Sequence, residues 1–146
     1  MSKKTSLFSF LLVLMLMLSA CGGGSESASG EASSDDPIET VVNKYVEAIN
    51  LEDIDHLLKT IHPFSAQHIE LRGYYDKDFA QFDYEVKKVS STVKEKLDDK
   101  VVVELVFSKA LLTEKAEGPN ELKEGEFTQT LTLKTKGEEW VIDKVE

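Results

Sequence analysis

Phe82-Asp83-Tyr84-Glu85-Val86-Lys87 is the stretch that decides the fold class of this chain. Apolar residues stand on every second position with charged ones between them, the two-residue period of a strand with one buried face. Upstream the period is different. Ile38, Val41, Val42, Tyr45, Val46 and Ile49 recur at three and four residues, as one stripe of a helix does. Asp36-Pro37-Ile38-Glu39 reads as its start, with Asp36 as N-cap, Pro37 in the first turn and Glu39 placed as in a capping box. Asn50 interrupts, and Leu51, Ile54, Leu57, Leu58 and Ile61 make a second stripe that stops at His62-Pro63, where the proline disfavours helix. Two short helices joined at Asn50 are therefore expected. The mixed residues 64–80 predict a short third helix followed by a loop.

Downstream the alternation continues. Val89 to Leu97 extends the first strand past a bulge, and Val101 to Leu112 is a β-branched and aromatic run after the turn at Asp98-Asp99-Lys100. Phe127, Leu131 and Leu133 alternate with threonines, and Trp140 and Ile142 follow a turn at Lys136-Gly137. Glu114 to Glu126 is expected as a polar hairpin loop. The fold class is α+β, with N-terminal helices packed on a curved four-stranded antiparallel meander.

Three segments carry a resemblance to a known fold: Ile38–Ile49, the connection Ala48-Ile49-Asn50-Leu51-Glu52-Asp53, and the terminal Glu139-Trp140-Val141-Ile142. Together they resemble the nuclear-transport-factor-2-like, or cystatin-like, cone fold over residues 36–146. That resemblance implies a helical hairpin before a curved sheet, and a space between them that some members use for catalysis and others for binding. It implies a fold and not an activity.

The first residues read as an export signal. Lys3 and Lys4 precede an apolar run from Leu7 to Leu18, broken only by Ser9. Twelve residues span about 18 Å as a helix, short of a hydrocarbon core of about 30 Å. Leu18-Ser19-Ala20-Cys21 resembles the lipobox of bacterial lipoproteins, which implies cleavage before Cys21 and a lipid on its thiol. Cys21 is the one cysteine of the chain. Residues 1–20 are thus expected to be a signal peptide, 21–35 a Gly/Ser-rich flexible tether, and 36–146 a single domain. Such a tether would hold the domain about 20–25 Å from its anchor on the extracytoplasmic face of a cell membrane.

Charge and motifs narrow the function. Residues 1–20 hold two of the 17 basic residues and none of the 27 acidic ones, so the remainder carries 15 − 27 = −12. That balance argues against nucleic acid or anionic headgroups as partners. His56, His62 and His68 are six apart, which on a helix is about 600° and separates their faces. No metal, cofactor or enzymatic activity is expected. Asp83, Glu85, Glu104 and Asp143 alternate with apolar residues and belong on the face away from the core.

Tyr45, Tyr84, Phe107, Phe127 and Trp140 could line a pocket between helices and sheet, or could fill the core. Tyr74 and Tyr75 beside Arg72 could form a contact patch or a loop packed on the sheet. Two functions follow. One is a non-catalytic interaction module for an envelope protein or for a second copy as a homodimer. The alternative is a small-ligand binding lipoprotein. The first is preferred because the sequence shows no converging polar groups to fix a ligand.

Overall fold

The computed structural model describes residues 36–146; the expected signal peptide, Cys21 and the expected tether lie outside the described residues. Three helices come first: α1 Pro37–Asn50, α2 Ile54–Lys59 and α3 Gln67–Gln81. Four strands follow: β1 Phe82–Lys96, β2 Lys100–Glu114, β3 Gly125–Lys136 and β4 Glu139–Val145. They pair in sequence order, each antiparallel to the next. This is the expected α+β architecture, a meander preceded by helices. Among the described residues no helix is long and apolar enough to cross a membrane.

Asp36 caps α1, accepting from the Ile38 amide at 2.8 Å, with Pro37 in the first turn. Glu39 does not complete a capping box. Its carboxylate is buried and turns to the sheet instead, where Lys88 and Ser91 of β1 hold it. The connection to α2 also differs from the expected break at Asn50. Glu52, at φ 52°, ends α1: its amide donates to Ile49 and that of Asp53 to Ala48, at 3.1 Å each. This is a left-handed helix stop of the kind glycine usually provides. Leu51 is left exposed, and Asp53 caps α2 through the His56 amide at 2.9 Å.

The core lies between the inner face of the sheet and the helices. Leu57 of α2, Leu105 of β2, Leu131 and Leu133 of β3 and Ile142 of β4 are fully buried in it. Each such side chain contributes about 1.5–3 kcal/mol by leaving water. Both sheet edges are partly covered. On the β4 side, Ile142 donates to the Thr60 carbonyl at 2.8 Å and accepts from the His62 amide at 2.7 Å. On the β1 side, the Asn50 amide accepts from Val86 N at 2.7 Å and donates to Val86 O at 2.8 Å. Asn50 thus takes the place of a neighbouring strand at that residue.

The expected short third helix and loop are replaced by α3, fifteen residues that run directly into β1. Tyr75, Asp78, Phe79 and Gln81 are its buried positions. Two of the four are polar, so the apolar stripe that marks a helix is absent from the sequence. Gly73 sits inside α3, and a Cβ there would meet nothing within 4 Å. Gly73→Ala should therefore raise the unfolding free energy by about 0.5–1 kcal/mol, measured by urea denaturation.

Candidate functional site

The inner face of the sheet changes character along its length. Val101, Val103 and Leu105 of β2 stand opposite Leu133, Leu131 and Gln129 of β3. Beyond Leu105 come Phe107 and Lys109, and beyond Gln129 comes Phe127. The apolar half is filled by the core. Over the other half α3 and the β2–β3 loop stand off the sheet and leave a partly open cavity of about 500 Å³. That is the size of a small-molecule cleft.

Four of the five aromatic candidates meet there. Tyr45 of α1 and Tyr84 of β1 are buried, and Phe107 and Phe127 stack across the β2–β3 pair with ring centres 5.7 Å apart. Trp140 does not join them. It lies half-buried in a separate groove with Pro37, Val41 and Lys59, because β4 is at the other end of the sheet. The expected contact patch also divides. Tyr75 is buried against the cavity, Tyr74 is partly exposed at its wall, and Arg72 reaches outward to Asp55 at 3.4 Å.

Polar groups do converge on this space, contrary to the expectation from sequence. The Tyr45 and Tyr75 hydroxyls are 3.2 Å apart. Lys109 pairs with Asp78 of α3 at 3.1 Å, both side chains almost wholly buried, and its ammonium lies 3.6 Å from the centre of the Tyr84 ring. Tyr84 Oη and Gln129 Oε1 are closed off from water, the first beside Asp78 and the second on a side chain beside Tyr45. Burial pushes the Tyr45 hydroxyl up to about 12. Burial raises Tyr75 and Tyr84 further, helped by Tyr45 in the first case and by the hydrogen bond to Asp78 and its charge in the second. All three are neutral donors at ordinary pH. Burial lowers Lys109, and Asp78 opposes that shift.

One lip of the cavity is the β2–β3 loop, residues 115–124, through Glu121, Leu122 and Lys123. Gln81, the last residue of α3, pins this loop. Its carbonyl accepts from Lys115 N at 2.8 Å and its amide donates to Asn120 O at 2.8 Å. A Cβ at Gly118 would sit 2.3 Å from Gln81 Oε1, so a larger residue there would displace the glutamine side chain.

Asp78, Lys109 and Gln129 are the site residues that sequence reasoning missed, and Tyr75 was weighed there only for a contact patch or a packed loop. A signal existed for two of the three missed residues. Gln129 breaks the inward stripe Phe127, Leu131, Leu133, and Lys109 continues the inward stripe Leu105, Phe107. A polar residue at an inward position needs a reason. The carboxylates Asp83, Glu85, Glu104 and Asp143 alternate with buried neighbours and take no part in the cavity. Among the described residues no three His, Cys, Asp or Glu side chains gather to hold a metal.

The fold is nuclear-transport-factor-2-like, and solved structures agree. An NTF-2-like protein of Shewanella oneidensis aligns with a TM-score of 0.61 and 16% identity, over 75% of this chain and 94% of that one. A protein with a cystatin-like fold from Nostoc punctiforme aligns with a TM-score of 0.57 and 12% identity, over 75% and 85%. A proposed aromatic ring hydroxylase of Novosphingobium aromaticivorans gives 0.60 and 12%, over 79% and 89%. At these identities the likeness is one of fold. The chain belongs to the family of the anti-sigma-I factor RsgI9 C-terminal domain, whose profile matches residues 40–146. No curated protein matches it.

Proposed function

We propose that this is a non-catalytic recognition domain of a regulatory protein, and that it binds a small molecule in the cavity beneath α3. The observation that carries this reading is the 500 Å³ space itself, walled by Phe107, Phe127, Tyr74 and Leu71 beside the buried Asp78–Lys109 pair. Asp78, the carboxylate that a proton-transfer reaction would use, is tied to Lys109 and supports binding over catalysis. The regulatory part of the proposal rests on the family, an anti-sigma factor's C-terminal domain. Leu18-Ser19-Ala20-Cys21 supports a lipid anchor on the extracytoplasmic face.

A second reading keeps a protein partner, from the envelope or a second copy of the chain. Phe64 is 93% exposed and Ile69 79%, both near the start of α3, and side chains of this kind anchor interfaces when they are covered. Native mass spectrometry of the chain purified gently from its own host separates the two. The expected result is a reproducible added mass that disappears in Leu71→Trp, which puts an indole into the cavity. A bare chain in both proteins would overturn the ligand reading and favour the protein partner.

A further inference from the structure

We propose that the groove beside Trp140 is a second site, for a short free peptide, with the ammonium end held by Glu138 and Glu139 and the carboxylate end by Lys44 and Lys59. It is separate from the cavity beneath α3 and does not depend on the reading of that cavity.

The groove is a partly open space of about 560 Å³, within the range of small-molecule sites. Its apolar surface comes from Pro37 and Val41 of α1 and from Trp140 and Val141 of β4. The two signs of charge are borne by different elements. Lys44 comes from α1 and Lys59 from α2, whereas Glu138 lies in the β3–β4 turn and Glu139 opens β4. All four are exposed, and none forms an ion pair among the described residues, with each other or elsewhere. Residues 36–146 carry 15 − 24 = −9, and nine of those fifteen cations are paired. In so acidic a domain a lysine easily finds a carboxylate. Lys44 and Lys59 share a groove with two and reach neither, which leaves room between them.

Charge selects the occupant. A simple anion drawn to Lys44 and Lys59 is repelled by Glu138 and Glu139, and a simple cation meets the reverse. Only a dipolar molecule is attracted at both ends. An apolar group between its charges covers Trp140 and Val41 and removes their surface from water. A tripeptide has these parts, with opposite charges about 10 Å apart when extended and a side chain between them. A zwitterionic phospholipid is dipolar too, but its apolar chains lie beyond both charges rather than between them.

Trp140 is the one tryptophan of the chain, so its fluorescence reports this groove and not the cavity. The test is titration of the full chain, at neutral pH and low salt, with Ala-Leu-Ala, its N-acetylated form, its C-amidated form and the form blocked at both ends. The free tripeptide should shift the Trp140 emission saturably. Blocking either end should weaken binding about twofold to fivefold, the range for exposed charge pairs. In the double variant Glu138→Gln with Glu139→Gln, N-acetylation should make no further difference, and in Lys44→Gln with Lys59→Gln, amidation should make none. These four side chains are exposed, so both variants keep the fold. Equal binding of all four peptides, or an emission unchanged up to about 10 mM peptide, would overturn the proposal. Phosphatidylcholine vesicles that shift the emission where the peptides do not would also overturn it, and would assign the groove to a headgroup.

Discussion

Lys109→Met should cost about 3–5 kcal/mol of unfolding free energy, read from urea denaturation followed by circular dichroism. The methionine fills most of the space that the lysine stem occupied, so little packing is lost. What changes is Asp78, which is 5% exposed and loses the ammonium 3.1 Å away. A buried carboxylate without a partner is among the few single changes that large. The double variant Asp78→Leu with Lys109→Met should recover to within about 1 kcal/mol of the native chain, because replacing both ions by apolar groups removes the desolvation cost together with the attraction. A loss under about 1 kcal/mol in the single variant would mean that water in the cavity solvates Asp78. The pair would then be a feature of an open, wet mouth.

Alkaline unfolding is the second large effect. The unfolded chain loses tyrosine protons near pH 10, whereas Tyr45 in the fold holds its proton to about 12, and Tyr75 and Tyr84 hold theirs longer still. The folded state therefore binds more protons above pH 10, and stability falls as pH rises. Each of these tyrosines removes about 1.4 kcal/mol per pH unit while it is charged only in the unfolded chain. Three together remove on the order of 8 kcal/mol over two units, comparable to the whole stability of an ordinary domain. Lys109, lowered in the fold, pulls weakly the other way below its ordinary value. The expected observation is cooperative unfolding between about pH 11 and 12, with tyrosinate absorbance rising in the same step. Tyr75→Phe should flatten the stability–pH slope by about one third. A gradual rise in absorbance without unfolding would show that the hydroxyls reach solvent through the cavity.

Much of the fold could be read because its strands obey one rule. Phe82, Tyr84 and Val86 face the core, as do Val101, Val103 and Leu105, and nothing interrupts their alternation. The helix α3 could not be read the same way, since Asp78 and Gln81 occupy inward positions that apolar residues usually hold. The helix stop at Glu52 was hidden for a related reason: its left-handed backbone lacks the glycine that would announce it. Tyr45, Tyr84, Phe107 and Phe127 were recognisable as inward aromatic residues, but whether they met a ligand or one another depended on how far α3 stands from the sheet. That distance is a tertiary property. Trp140 belonged to the wrong end of the sheet, and one-dimensional alternation does not tell one end from the other.

The side chain of Asn50 at Val86 bears on how such molecules behave when crowded. A strand at the border of a sheet offers a row of amides and carbonyls to any extended peptide, including the same strand of a neighbouring molecule. By occupying both backbone groups of Val86, the fifth residue of β1, Asn50 takes those two groups out of the row. Copies held close together on a surface would meet edge to edge constantly. One amide side chain thus removes a docking point from that edge.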